Sequence, residues 1–428
     1  MSTESLLRLA SPPTGRIRTR EIPDVGDLIS LLPTPRGALG WVRAGEGMVA
    51  WGSAAVIETG GPDRFGHAEA AWHGLVERFD IHDEVDLPGT GPVAFVSFAF
   101  DDDPGRSVLV VPRVLVGHRN GRSWITEIDV RAGETRIGGR GSILASTPAR
   151  VAIQPPSALR WSEGGISPER WRTAVAEAVR RMRTGELDKV VLARDLVAHS
   201  STPFDPRHLM NRLAARNPHS WTFAVDGLVG ATPELLLRRR RGYVDSRVLA
   251  GTSWPGQPID LLASAKNRHE HQVAVDSLLS TLGPSCAWVR STGPVVLQLP
   301  TVAHLSTDVH AQLSDPSRSS LLSLGEVVHP TAAVGGTPRP AALAVISELE
   351  TTAGMDRGRY AGPVGWVDAH GDGELGLALR CAQLRGNSAR LFAGCGLVTD
   401  SDPDTELAET DAKFRAVRDA LSTSPETP

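Results

Sequence analysis

Short apolar runs bounded by turn residues dominate the first 150 residues and predict β-strands. Residues 91–105 and 106–121 are rich in Val, Phe and Leu and are flanked by Gly, Pro and Asp, which is typical of strands. Residues 67–79 instead have apolar positions at helical spacing. This half of the chain is therefore predicted to be β-rich with one helix, and it has few motifs that suggest chemistry.

Residues 167–186 have the clearest helix pattern in the chain. Ser167 can cap the helix and Pro168 suits its first turn, and apolar residues then recur along one face. The next apolar run, KVVLARDLVAH at 189–199, predicts a strand. Lys189 would therefore lie at the first residue of a strand that directly follows a helix.

The remaining pattern mixes helices and strands without a regular βαβ alternation. Helices are predicted at 266–283, at 340–350 and from about 402, and strands at 221–239, 295–307, 362–386 and 389–399. Such mixing indicates an α+β fold with large mixed or antiparallel sheets.

Composition excludes several classes of function. The chain has 428 residues, 41% hydrophobic and 22% charged, with a net charge of −4. No basic tail suggests a nucleic-acid surface, and no run of about 18 apolar residues suggests a membrane span. The first 20 residues lack the apolar core of a secretory signal, and three scattered cysteines suit a reducing compartment. We therefore expect a cytoplasmic protein that binds neither nucleic acid nor membrane.

Charged residues of the terminal helix repeat on one face. In ELAETDAKF, Glu406, Glu409 and Lys413 are three and four residues apart, so they share a helix face. This face could be a solvated ion-pair ladder or could point into a charged site. Glu270 lies on another predicted helix, and two glutamates from separate helices would suit Mg²⁺, which is usually held by one or two carboxylates and waters. A solvent-facing Glu270 is the alternative.

Two further residues suit acid–base chemistry. Glu234 in GATPELL is followed by an apolar run, and a carboxyl group in such surroundings can keep its proton and act as an acid. A turn carboxylate that binds a backbone N–H is the alternative. Lys189 could serve as a base if it is buried, or could reach solvent. Neither a Walker loop nor a GxGxxG turn that opens a helix after a strand is present, which disfavours nucleotide binding.

Nine stretches taken together resemble the chorismate-utilising enzymes, and among these the isochorismate synthases most. They occur in family order between about residues 167 and 421: KVVLARD, GATPELLLR, LAGT, KNRHEHQ, HPTAAVGGTPR, YAGPVGW, ALR, FAGCGLV and ELAETDAKF. The resemblance implies one α+β domain over 1–428, built of two stacked sheets with helices outside. Residues 167–421 would carry the catalytic motifs, and residues 1–150 resemble the family more loosely.

The resemblance also implies the reaction and its catalytic groups. Chorismate would be converted to isochorismate, for menaquinone or siderophore biosynthesis, without an obligatory protein partner. Lys189 matches the general base that takes a proton from water, and Glu234 the general acid that protonates the departing hydroxyl. Glu270 and Glu409 match ligands of Mg²⁺, and Glu406 matches an acidic residue close to the metal.

The resemblance implies that nine further residues contact the substrate or line its pocket. They are Gly251, Thr252, His304, Ala333, Tyr360, Arg380, Gly394, Gly396 and Lys413. Tyr360 and Arg380 match residues that hold the enolpyruvyl carboxylate. Lys413 lies near the substrate carboxylates in the family.

Related activities remain as alternatives. Salicylate synthases also eliminate pyruvate, and we expect a threonine at the position of Ala333 in those lyases. Anthranilate synthases generally lack the lysine that matches Lys189, whereas aminodeoxychorismate synthases have it. A non-catalytic chorismate-binding protein is a further alternative, but the base, the acid and both metal ligands are all present.

Overall fold

Two large sheets carry most of the described chain. The structure is a computed structural model that describes residues 14–103, 105–131, 148–254 and 260–422. Parts of the predicted β-rich half, at 1–13, 104 and 132–147, therefore lie outside the described residues.

The first sheet has 13 strands among these residues. They are β1 (Thr14–Ile22), β2 (Leu39–Arg43), β3 (Glu46–Trp51), β5 (Phe79–Asp83), β8 (Val114–Arg119), β9 (Arg122–Arg131), β10 (Arg160–Glu163), β11 (Lys189–His199), β12 (Trp221–Val225), β13 (Leu228–Thr232), β19 (Gly336–Thr337), β22 (Cys381–Arg385) and β23 (Ser388–Leu397). Their order is β10-β11-β23-β22-β13-β12-β2-β3-β8-β9-β1-β5, and β19 pairs with β11.

The second sheet has ten described strands. They are β4 (Ala55–Thr59), β6 (Val93–Ser97), β7 (Ser107–Val111), β14 (Leu235–Arg240), β15 (Tyr243–Ser253), β16 (Cys286–Ser291), β17 (Val295–Gln298), β18 (Ala303–Leu313), β20 (Pro363–Asp368) and β21 (Gly373–Leu377). Only β1 and β5 pair in parallel within the described part of the chain, and the other strand pairs are antiparallel.

Seven α-helices accompany the sheets in the described ranges. They are α1 (Arg64–Val76), α2 (Pro168–Arg183), α3 (Pro206–Arg216), α4 (Ala265–Leu282), α5 (Leu321–Val328), α6 (Arg339–Ile346) and α7 (Pro403–Leu421). Ser167 caps α2 as predicted, since its Oγ accepts a hydrogen bond from the Arg170 N–H at 3.4 Å. None of the described helices combines the length and apolarity needed to cross a membrane.

Both sheets contribute side chains to one buried apolar cluster. Trp41 and Trp124 of the first sheet belong to it together with Phe95 and Trp366 of the second, so the core lies between the sheets. Strand β2 pairs with β12, and β6 with β20, so early and late strands share both sheets. The predicted α+β class with two large sheets is confirmed.

Some predicted boundaries were wrong. The single strand predicted over 221–239 is three strands. Asp226 and Gly227, which both have positive φ, form the kind of two-residue turn that joins hairpin strands and separate β12 from β13. Strand β14 begins after Glu234 and belongs to the other sheet. The strand predicted over 362–386 is also three strands, β20 to β22. Helices α3 and α5 were not predicted.

Candidate active site

Lys189, the first residue of β11, is fully buried. Its Nζ lies 3.3 Å from Glu270 Oε1 on α4 but makes no hydrogen bond in the described structure. Gly396 on the neighbouring β23 makes room for this pair, because a Cβ at that position would lie 2.1 Å from Glu270 Oε1. An unsatisfied buried amine is costly, and such a group is suited to a ligand or to proton transfer.

Glu234 lies between β13 and β14 and is buried. Burial raises the pKa of its carboxyl group to about 8, although the Leu249 N–H and the cations of Lys189 and Arg380 lower it. The Leu249 N–H donates to Glu234 Oε1 at 3.4 Å. At neutral pH this carboxyl group therefore keeps its proton and can donate it.

His304 fixes the position of the Arg380 guanidinium group. Arg380 Nη2 donates to His304 Nε2 at 3.0 Å, so His304 carries its proton on Nδ1. That nitrogen lies 3.3 Å from the carbonyl oxygen of Gly251 and 3.2 Å from Thr252 Oγ1. Burial and the nearby Arg380 lower the pKa of His304 well below its usual value, so the imidazole is neutral and the arginine supplies the positive charge.

The charged face of α7 points inward. Glu406, Glu409 and Lys413 are each at most 9% exposed, which excludes a solvated ladder. Lys413 Nζ donates to Glu409 Oε1 at 2.5 Å and to the carbonyl oxygen of Gly394 at 2.9 Å. The face therefore belongs to the site and not to the surface.

The predicted metal ligands form a set of carboxylates that is neutralised by lysines. Three ion pairs do this: Lys189–Glu270, Lys413–Glu409 and Lys266–Glu406. Burial and the nearby Glu409 raise the pKa of Glu406, so an additional cation would be favoured there. In the described ranges no three His, Cys, Asp or Glu side chains cluster closely enough to hold a metal by themselves. Mg²⁺ needs only one or two carboxylates besides waters and a substrate anion, and Glu270 and Glu409 suit it in chemical type.

Ten of the predicted residues line one cavity of about 50 Å³: Glu234, Thr252, Glu270, His304, Ala333, Tyr360, Arg380, Gly394, Gly396 and Lys413. Lys189, Gly251 and Glu409 contact residues of this lining. Glu406 pairs with Lys266 on α4 and lies beside the lining residue Cys395. The structure thus brings the predicted groups together around one small space, with Glu406 at its edge.

A buried ion pair that no sequence pattern indicated supports this cavity. Both oxygens of Glu350 accept hydrogen bonds from Arg357 at 2.6 and 2.7 Å. Arg357 also donates to the carbonyl oxygens of Val191 on β11 and Val334 at 2.6 and 2.9 Å, and the Ala193 N–H donates to Glu350 at 2.7 Å. The pair ties the strand that carries Lys189 to the loop that carries Ala333. Nothing in a single sequence marks a charged pair as buried.

A larger cavity of about 830 Å³ lies apart from these residues. Its lining includes Trp51, Val110 and Phe204, and none of the predicted site residues belongs to it. Perturbed titratable groups that converge on one space are better evidence for chemistry than volume, so the smaller cavity is the candidate active site.

Comparisons with known proteins agree with this geometry. Residues 41–422 match the family model described as chorismate binding enzyme. Isochorismate synthase MenF of Bacillus subtilis is 31% identical over 405 residues, 87% of this chain and 85% of that protein. Isochorismate synthase DhbC of the same organism is 38% identical over 59% of this chain and 68% of its own length.

Solved structures show the same relationship. The menaquinone-specific isochorismate synthase MenF of Escherichia coli superposes with a TM-score of 0.74 at 25% identity, and the match covers 97% of each chain. An anthranilate synthase component I of Streptococcus pneumoniae shares the fold with a TM-score of 0.65 at 20% identity. The chain therefore belongs to the family of chorismate-binding enzymes, as its sequence motifs predicted.

Proposed function

We propose that this protein is an isomerase that converts chorismate to isochorismate. The proposal is supported by the named relatives, which are isochorismate synthases. The observation that carries it is the placement of two groups at one cavity. Glu234, whose raised pKa keeps it protonated, lines the cavity. The buried Lys189, which lacks a hydrogen-bond partner among the described residues, contacts Glu270 of that lining. Glu234 can donate a proton, and Lys189 can accept one when it is in its amine form.

The reaction needs a base and an acid at separate ring carbons. Lys189, in its amine form, takes a proton from a water molecule as the water oxygen bonds to the ring carbon beside the ring carboxylate. The ring double bonds shift, and the hydroxyl group two carbons away leaves with the proton of Glu234. One water is consumed and one is released, so the conversion is redox-neutral.

The two substrate carboxylates need cationic partners. Arg380, oriented by His304, and Tyr360 would hold the enolpyruvyl carboxylate, and Lys413 would lie near the substrate carboxylates. An arginine suits this task because its planar group can bind a carboxylate through two parallel hydrogen bonds.

Mg²⁺ is part of the proposal. Glu270 and Glu409 would hold it, and Glu406 would lie close by. When bound, the ion would neutralise the ring carboxylate and developing charge. Its support is the chemical type of the buried carboxylates Glu270 and Glu409.

The cellular setting is proposed as well. We assign the protein to the cytoplasm, in keeping with its three free cysteines. We assign its product to menaquinone or siderophore biosynthesis. Two similar solved structures are named as menaquinone-specific and 2,3-dihydroxybenzoate-specific isochorismate synthases.

Product analysis tests the proposal. Purified protein is incubated with chorismate and Mg²⁺, with and without ammonium, and the products are separated by chromatography and identified by mass spectrometry. We expect isochorismate at equilibrium with chorismate, and its loss with EDTA or in Lys189→Ala. Salicylate with pyruvate would show that Ala333 does not exclude the lyase reaction. An amino product that requires ammonium would assign the protein to the aminating enzymes.

A further inference from the structure

A second cavity adjoins the active-site cavity. It has a volume of about 370 Å³ and shares two wall residues, Arg357 and Tyr360, with the smaller one. Phe392 lines the second cavity, whereas Gly394 and Gly396 line the first. Alternate residues of a strand share a face, so the two cavities lie in line along one face of β23.

Tyr360 separates the two spaces. Its ring stacks on Phe392 with centroids 5.1 Å apart and an interplanar angle of 10°. On the active-site side its hydroxyl oxygen lies close to Gly394, where a Cβ would approach it to 3.2 Å. Tyr360 therefore contributes to the walls of both cavities at this point.

Cationic side chains dominate the second cavity. Its charged lining residues are Arg106, Arg357, Arg359, Arg385, Arg390 and Asp356; we call this cavity the arginine vestibule. Carboxylates behind the lining pair with four of these arginines, in the pairs Arg106–Glu58, Arg106–Asp226, Arg359–Asp226, Arg357–Glu350 and Arg390–Asp195. Arg385 is exposed at the end of β22 and has no ion pair within the described part of the chain.

Arg385 is the one lining arginine that no carboxylate of the described residues neutralises. The pKa of Arg359 is lowered to about 10, chiefly by burial; the nearby Asp226 opposes this change, and repulsion from Arg106 and Arg385 adds to it. Arg385 repels the buried Arg359, and an anion bound beside Arg385 would offset this repulsion while accepting hydrogen bonds from its guanidinium group.

We propose that the arginine vestibule binds a cyclic dicarboxylate on its way into the active site, with Tyr360 as the partition that must move. Its volume falls within the range of about 300–1,000 Å³ typical of ligand pockets, whereas the active-site cavity of about 50 Å³ does not. That the dicarboxylate is chorismate or isochorismate rests on the proposed function. The vestibule's preference for a dianion rests only on its arginines.

A cysteine placed in the vestibule tests this directly. Ser388 lines it and lies opposite Arg385 in the β22–β23 pairing. In a Cys286→Ser background the remaining native thiols, Cys381 and Cys395, are buried, so Ser388→Cys provides the reactive thiol. The rate of its alkylation by neutral iodoacetamide is measured against rising concentrations of chorismate, or of benzene-1,3-dicarboxylate as an unreactive probe.

Both dicarboxylates should slow the alkylation. Adding Arg385→Gln should raise the half-protecting concentration about threefold or more, because one cation facing a dianion is lost. Arg18→Gln removes the same charge from an exposed position on β1 and should leave the half-protecting concentration unchanged. Circular dichroism spectra of all variants verify that they are folded.

Two results would overturn the proposal. One is alkylation that neither dicarboxylate slows, and the other is protection that Arg385→Gln leaves unchanged. Chorismate turnover is measured separately in the same samples. Protection from alkylation without chorismate turnover would refute the proposed function but support dicarboxylate binding in the vestibule. Turnover without protection would support the proposed function and refute binding in the vestibule.

Discussion

The raised pKa of Glu234 leads to a prediction about stability as well as catalysis. The carboxyl group has a pKa of about 8 in the folded protein, against a usual value of 4.5. Between these two values the folded protein holds a proton that the unfolded chain has lost. The contribution of Glu234 to the free energy of unfolding is therefore largest below the unfolded value of 4.5 and falls as the pH rises towards 8.

Glu234→Gln removes this dependence, because an amide stays neutral at every pH. Each pH unit in the window corresponds to about 1.4 kcal/mol. From pH 5 to pH 8 the unfolding free energy of the variant should thus rise relative to wild type by about 4 kcal/mol. The altered contacts of the glutamine add a pH-independent term to the unfolding free energy, which does not change how the difference between variant and wild type varies with pH.

Urea denaturation of both proteins at half-unit pH intervals measures the slope. Glu177→Gln is the matched control, because Arg180 and Arg181 lower the pKa of Glu177 to about 2 and it is ionised throughout the window. Its slope should match that of wild type. The same Glu234→Gln variant should lose isochorismate formation by roughly 10²- to 10⁴-fold, the usual contribution of a general acid.

A flat difference between wild type and Glu234→Gln from pH 5 to pH 8 would refute the reasoning. It would mean that Glu234 is ionised in the folded protein and cannot donate a proton at neutral pH. In wild type, kcat should also decline as the pH rises above about 8, since the acid is then deprotonated.

Three further predictions concern neighbouring residues. Gly396→Ala should lower the free energy of unfolding by about 1–3 kcal/mol through overpacking and should abolish turnover. Gly74→Ala, where a Cβ meets nothing within 4 Å, should be neutral or stabilising in thermal melts. Equal effects of the two substitutions would contradict the clash between a Cβ at position 396 and Glu270. Glu350→Gln should lower the free energy of unfolding by about 3 kcal/mol or more, because it leaves the buried Arg357 without its carboxylate, and an unchanged urea midpoint would argue against that role. Mg²⁺ should raise the melting temperature of wild type but not of Glu270→Gln. An equal rise in both proteins would show that Glu270 is not a ligand of Mg²⁺.

Local patterns predicted the elements that carry the site. The run at 189–199 has the bounds of β11, and the cap at Ser167 is present, because both depend on neighbouring residues alone. The spacing of Glu406, Glu409 and Lys413 placed them on one face but left its direction open. Only burial in the tertiary structure shows that the face points inward.

Other features depend on contacts between distant parts of the chain. The Glu350–Arg357 pair binds atoms of β11, more than 150 residues away, and no periodicity reports such a contact. The turn at Asp226–Gly227 does not depend on distant contacts. The Asp-Gly pair is a known hairpin signal, so this boundary could have been predicted from the sequence. Similarly, the role of Gly396 is clear only once Lys189 and Glu270 are seen beside it.

The origin of the new hydroxyl oxygen tests the account most directly. The reaction is run in H₂¹⁸O with Mg²⁺ and stopped before equilibrium, and the isochorismate is analysed by mass spectrometry. Attack by a water that Lys189 has deprotonated predicts one ¹⁸O atom in the hydroxyl group beside the ring carboxylate, and no product in Lys189→Ala. Unlabelled isochorismate would mean that the hydroxyl group migrates within the substrate, and the assigned roles of Lys189 and Glu234 would then be wrong.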